Sequence, residues 1–207
     1  MSKAVLFFAD GTEECEALLV ADLLRRARVE VIIASAMGRR ALVSSHGIHL
    51  NADALAEDVD YSDVDMVILP GGIPGTPNLA ENKTVTDTCV SFAKAGKKVA
   101  AICAAPSVLA SLGLLEGRNA TAHAGFQDKL AGAIVHDEEV VVDGSITTSY
   151  GLGGASSWCA SWPAPPKPTA SRKLSRIGIK NHLLLTKLHL LHIIKLETNN
   201  LSVCLKQ

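Results

Sequence analysis

The sequence predicts an α/β fold, a mostly parallel sheet with helices on both faces, and three observations predict it. Apolar runs of strand length at Lys3–Phe8, Val29–Ala36, Val64–Leu69 and Val99–Ile102 are nearly continuous, as strands covered on both faces require. Segments of helical periodicity separate them. The third observation is position. Asp10 to Glu16, Pro70 to Asn78 and Cys103 to Pro106 each follow a strand, so these loops gather at the carboxyl ends, where such sheets hold their sites.

Each element follows from its residues. Lys3–Phe8 is the first strand, and Asp10-Gly11-Thr12 turns the chain. Glu13–Arg28 reads as a helix, because Ala17, Leu18, Ala21 and Leu24 recur at helical spacing and Arg25, Arg26 and Arg28 sit at the end that favours cations. Val29–Ala36 is the second strand. Arg40–Val43 and Ile48–Asn51 form a short excursion around Ser44-Ser45-His46-Gly47, and Val64–Leu69 is a buried strand ending on Pro70-Gly71-Gly72. Asn78–Ala95 supplies one or two helical turns and then a helix with Val85, Cys89, Phe92 and Ala93 on one face. Val99–Ile102 is the next strand, Pro106–Leu112 a short helix, and Asn119–Ala122 a short strand. Val140–Asp143 and Ser145–Thr148 alternate in polarity and meet at Asp143-Gly144, the pattern of a β-hairpin.

With 207 residues, 48% of them hydrophobic, the chain buries a sizeable core. Charge divides it in two. Residues 1–155 carry 12 Lys+Arg against 20 Asp+Glu, whereas residues 156–207 carry 8 against 1. The reading is a 1–155 α/β domain and a 156–207 basic tail, Pro-rich and then Leu-rich. Cys15, Cys89, Cys103, Cys159 and Cys204 form neither a metal-type pair nor an even framework, which points to a reducing compartment and no metal site. Acidic residues follow the first apolar run at once, so no signal peptide is read, and the expected location is cytoplasmic. The leucine-rich stretch Leu183–Leu196 is too short and too often charged to span a bilayer. Nothing in the basic tail has the pattern of a nucleic-acid fold.

The most informative stretch is Val99-Ala-Ala-Ile-Cys103-Ala-Ala-Pro106. Small and β-branched residues run to Cys103, and Pro106 suits a first helical turn, so Cys103 falls at a strand-to-helix turn. There, unpaired backbone N–H groups and a helix dipole favour a thiolate and an oxyanion. A buried, inert core cysteine fits the same position. Glu16 opens a helix beside Glu13 and Glu14, where acidic residues ordinarily complement the dipole. With the first and fifth strands side by side, Glu16 would face Cys103 and serve as general acid/base. Gly71 and Gly72 permit close backbone approach and offer N–H groups to an oxyanion hole, or simply make a tight turn. His123, in Thr121-Ala-His-Ala-Gly125, is the best base candidate among seven histidines, while His46 and His49 line a pocket or lie on the surface. Gly151-Leu-Gly153-Gly154 lacks the spacing of a phosphate or dinucleotide loop.

Four motifs in order, Gly11-Thr-Glu-Glu-Cys-Glu16, Leu69-Pro-Gly-Gly72 with Pro74-Gly75 and Asn78-Leu79, Ala101-Ile-Cys-Ala-Ala-Pro106 and Thr148-Ser-Tyr-Gly-Leu-Gly153, closely resemble the ThiJ/PfpI superfamily in its Parkinson disease protein 7 (protein deglycase) branch. The resemblance covers residues 1–155. It implies a flavodoxin-like α/β sandwich with a cysteine nucleophile elbow, usually a homodimer. It makes Cys103 the nucleophile, Glu16 its carboxyl partner, Gly72 and Ala104 the oxyanion donors, and His123 the nearby histidine. The implied activity is that of a cofactor-independent glyoxalase or deglycase acting on methylglyoxal-type dicarbonyls or glycated adducts. The same branch implies a second role, a redox-sensing protective chaperone using an oxidisable, low-pKa thiol. Peptidase activity of the PfpI kind is disfavoured, because Ala104 stands where that branch has a histidine after the cysteine.

Two departures stand out. Arg28 occupies a position where the family commonly ends a helix on glycine, at a cost of roughly 1 kcal/mol if the residue is left-handed. From Ser156 the expected aliphatic helix is missing, since Trp158–Ala170 contains four prolines. Back-translated with GC-rich codons and read two nucleotides later, Ser157–Ser175 encodes a family-like helix, so the tail reads as an out-of-frame or alternatively spliced extension. Asn181–Glu197 has the leucine and isoleucine either to replace that helix or to drive aggregation.

Overall fold

The structure is a computed structural model, and it describes residues 2–155 together with Ser157 and Cys159. Strand β1 (Lys3–Phe8) leads into helix α1 (Glu14–Arg26), followed by β2 (Glu30–Ser35), a hairpin of β3 (Ala41–Val43) and β4 (His49–Asn51), and the short β5 (Ala54–Leu55). Next come β6 (Met66–Leu69), helices α2 (Gly75–Glu81) and α3 (Lys83–Lys94), β7 (Lys98–Ile102) and α4 (Pro106–Ser111). The described part closes with β8 (Asn119–Ala120), β9 (Ile134–Val135), β10 (Val140–Asp143) and β11 (Ile146–Ser149). The flavodoxin-like expectation holds. A seven-stranded sheet runs β10-β11-β7-β6-β1-β2-β5, parallel except where β10 pairs antiparallel with β11.

Alternation along the central strands makes two cores. Val5, Phe7, Val67, Leu69, Val99 and Ala101 face Leu79, Val85, Cys89, Phe92 and Leu109 on α2, α3 and α4. Ala4, Leu6, Phe8, Ile68, Ala100 and Ile102 face Ala17, Val20, Ala21 and Leu24 of α1, with Ala155 against the same side. Each fully buried aliphatic or aromatic side chain contributes roughly 1.5–3 kcal/mol, so both faces are needed to hold the sheet. The 156–207 tail reading lies outside the described residues, apart from Ser157 and Cys159.

Helix α1 ends at Arg26, two residues short of the Arg28 expected from its periodicity. Arg28 is left-handed at φ 63°, its N–H donates to Arg25 O, and Val29 N–H donates to Leu24 O. These two bonds satisfy the last carbonyls of the helix, with Leu24 and Val29 buried together behind them. Two short strands escape the periodicity: β5 and β9 are two residues each and exist because β2 and β8 offer them edges. One topological expectation is corrected. The first strand and the cysteine-bearing strand are not neighbours, because β6 lies between β1 and β7 and pairs with both.

Candidate active site

Three loops meet at the carboxyl edge of β1, β6 and β7, and glycines let them pack. Glu13 N–H donates to Gly71 O at 2.9 Å, and the Asn78 side chain donates to Asp10 O at 2.9 Å. A Cβ on Gly72, itself at φ +98°, would lie 2.3 Å from Glu13 N, and one on Gly75 would lie 2.4 Å from Thr12 N. No side chain larger than hydrogen fits there without moving backbone. The start of α1 is thereby fixed against the end of β6.

Glu13 caps α1 by accepting Glu16 N–H at 2.7 Å, which turns the Glu16 side chain inward, where it is 5% exposed. Its Oε2 accepts Gly71 N–H at 3.2 Å, and its carboxyl interacts with the Cys103 thiol. Gly71 is the reason they meet across β6. A Cβ at that residue would lie 2.6 Å from Glu16 Oε2 and 2.7 Å from Cys103 Cβ. Burial pushes the Glu16 carboxyl up to about 7, against the opposing pull of the thiol and the Gly71 N–H.

Cys103 stands at the elbow with φ 62°, a left-handed conformation that a non-glycine residue adopts at a cost. Its backbone is clamped on both sides. Cys103 N–H donates to Ser149 O at 2.8 Å, and Cys103 O accepts His123 N–H at 2.9 Å. The low-pKa thiol expected from the helix dipole is not what forms here. Burial, then the Glu16 charge, push the thiol up to about 12, while the Ala104 N–H pulls the other way. Helix α4 has only six residues, so its dipole is weak compensation. The thiol thus rests protonated beside the Glu16 carboxyl rather than as a standing thiolate.

The other predicted residues divide. Gly71 N–H is engaged by Glu16, and the Ala104 N–H acts on the Cys103 thiol. His123 is exposed, its ring 5.5 Å from that of Tyr150, and its Nδ1 accepts Gly125 N–H at 3.3 Å. With Nδ1 accepting there, the ring N–H is placed on Nε2. His46 sits on the hairpin turn, where Nδ1 lies 2.8 Å from Glu14 Oε1 and 3.1 Å from Ser45 Oγ. The backbone, both serines and His46 hold the buried Glu14 at about 2, overcoming its desolvation. Glu13, Glu14 and His46 are close enough to surround a cation, but Glu13 already serves as a cap and Glu14 and His46 are bonded to each other. Sequence reasoning missed Gly71 as the carboxyl's donor and Ser149 as the elbow's acceptor. The Pro-Gly-Gly spacing was the available signal for the first, and backbone roles leave none for the second.

An α/β sheet with a left-handed cysteine at a strand-to-helix turn and a buried carboxyl against it is a cysteine-elbow protein. Residues 2–162 match the DJ-1/PfpI family, and the chain belongs to that family. Protein dj-1beta of Drosophila melanogaster is 37% identical over 158 residues, spanning 75% of this chain and 84% of that protein. Deglycase TK1284 of Thermococcus kodakarensis is 36% identical over 159 residues, spanning 75% of this chain and 94% of that one. The solved structure of oxidized Toxoplasma gondii DJ-1 superposes with a TM-score of 0.74 at 33% identity, covering 77% of this chain and 87% of that one. No helix among the described residues is long and apolar enough to cross a membrane.

Proposed function

We propose that the protein is a cofactor-independent, cysteine-dependent glyoxalase or deglycase that converts methylglyoxal-type 2-oxo aldehydes, or their adducts, to 2-hydroxy acids. One observation carries this reading: Cys103 abuts a carboxyl whose proton affinity, near pH 7, is matched to taking and returning protons at neutral pH. The deglycase name of a relative at 36% identity supports the same class. Glu16 takes the thiol proton as Sγ adds to the aldehyde carbon, and the hemithioacetal oxygen is held by Gly72 and Ala104 N–H. Glu16 returns that proton to the oxygen, and the carboxylate so regenerated carries a proton from the former aldehyde carbon to the neighbouring carbon through an enediol, which gives a thioester of the 2-hydroxy acid. Water attacks that thioester, lactate leaves when methylglyoxal is the substrate, and the thiol is restored. His123 Nε2–H is assigned to orient the substrate's second oxygen.

The test is glutathione-independent loss of methylglyoxal with stoichiometric lactate. Activity in the wild type, abolished in Cys103→Ala and Glu16→Gln, is expected. Its absence in the wild type, or its persistence in both variants, overturns the reading.

A redox-responsive role for the same thiol is favoured by accessibility. Cys89 is fully buried, whereas Cys103 is half-buried beside the Glu16 carboxyl, which can accept its proton. Homodimerisation and a cytoplasmic location belong to this proposal by family likeness.

A further inference from the structure

On the sheet face opposite α1, helices α2 and α4 and the 3₁₀ helix Ala124–Lys129 border an open cleft of about 580 Å³. Its walls are mostly apolar, with Val108 at 2% exposure, half-buried Phe126, and Ile73, which is 55% exposed. Neither Cys103 nor Glu16 lines it. Clefts of this size, apolar with a few placed polar groups, are the usual form of a small-molecule site.

Two polar residues say what kind of molecule fits. Thr76 is 3% exposed, and its Oγ1 is one of two buried side-chain polar atoms among the described residues with no hydrogen-bond partner. Thr88, Ser107 and Ser111 each return their hydroxyl to a carbonyl three or four residues back, at 2.6, 2.7 and 2.8 Å. Thr76 makes no such bond, although its own N–H donates to Gly72 O at 2.8 Å. A buried hydroxyl left unbonded costs free energy that a ligand oxygen recovers, and a helical threonine has two accessible χ1 rotamers through which to reach one. The second residue is Lys129, the sole charged side chain lining the cleft. Its Nζ lies 4.4 Å from the centroid of the Phe126 ring, and it makes no ion pair among the described residues. Ser107 and Ser111 have spent their protons on their own helix, so Thr76 and Lys129 are the cleft's free side-chain donors.

We infer that this cleft binds a small arylalkyl monocarboxylate, its hydrocarbon part against Ile73, Val108 and Phe126 and its carboxylate accepting from Lys129 and Thr76. The ring suits the Phe126 wall, where offset or edge-to-face aromatic contacts add to apolar burial. The single ammonium balances a single negative charge. A phosphate dianion would carry an unpaired charge against apolar walls, and an amine would meet Lys129 as a like charge. The site is independent of the proposed reaction, because binding is read without turnover.

Amide NMR of the full chain, titrated with 3-phenylpropionate at low ionic strength, tests it. Saturable shifts are expected, confined to residues 73–80, 107–111 and 126–129. The neutral 3-phenylpropanamide binds about fivefold more weakly and the cationic 3-phenylpropylamine about tenfold or more. Lys129→Gln, a change at an exposed position, removes the advantage of the carboxylate over the amide. Thr76→Val keeps the shape of the side chain and weakens 3-phenylpropionate about threefold or more, while its urea midpoint without ligand stays no lower than that of wild type, since the lost hydroxyl had no partner. The inference is overturned by an absence of saturable shifts up to about 20 mM ligand, by equal affinity for carboxylate and amide, by an affinity unchanged in Lys129→Gln, or by a lowered midpoint in Thr76→Val. Shifts in these residues that follow protein concentration instead of ligand would assign the cleft to a second copy of the chain and overturn it as well.

Discussion

The carboxyl of Glu16 and the thiol of Cys103 interact across the end of a strand that carries neither of them. Glu16 lies on the helix after β1, Cys103 follows β7, and the loop after the intervening β6 carries Gly71, whose missing side chain leaves the gap through which they meet. One glycine thus controls the contact on which the proposed chemistry depends.

Gly71→Ala tests that control. Its Cβ falls within 2.7 Å of both partners, and its backbone is not in the left-handed region, so the strain is confined to the pair. Circular dichroism is expected to show a retained fold, and turnover of methylglyoxal to fall by about 10² or more, the usual worth of a displaced acid/base group.

In the proposed reaction Glu16 also sets the pH dependence. As general base it must be ionised, so kcat/KM is expected to rise tenfold per pH unit below about 7 and to level off above it. A profile flat from pH 5.5 to 8 would remove Glu16 from the rate-limiting proton transfer.

Stability runs the opposite way. The folded Glu16 value, about 7, lies above its ordinary value of 4.5, so the native state binds the proton more tightly than the unfolded chain. The stability this confers is complete below pH 4.5 and is lost as pH rises through 7. Glu16→Gln keeps a neutral group in place and is expected to be more stable than wild type at pH 8, by roughly 3 kcal/mol, with the difference vanishing near pH 4.5. Urea unfolding at the two pH values measures it.

At the end of α1, Arg28→Gly relieves a left-handed residue while preserving both capping bonds, which are made by main-chain N–H groups. Urea unfolding is expected to show a gain of about 1 kcal/mol, with catalytic constants unchanged.

Peroxide treatment followed by peptide mass analysis distinguishes the thiols. Cys103 is expected to be oxidised well before Cys89, because Cys89 is wholly buried and Cys103 only half-buried. Equal oxidation of the two would deprive a redox role of its chemical basis.

The apolar runs, helical spacing and turn glycines were enough to place the main strands and helices, because periodicity reports local burial. Cys103 at its elbow was legible for the same reason, as a property of a few consecutive residues, whereas left-handed Arg28 was signalled only by the family resemblance and local periodicity ran the helix through it. The tertiary structure decided what depends on elements distant in sequence. It put β6 between β1 and β7, engaged the Gly71 N–H with Glu16, and drew His46 to Glu14. It also raised the thiol that its local position was expected to lower, because burial and a facing carboxylate outweigh the end of a six-residue helix. Strand order and desolvation are set by the whole assembled sheet, and no window of sequence contains them.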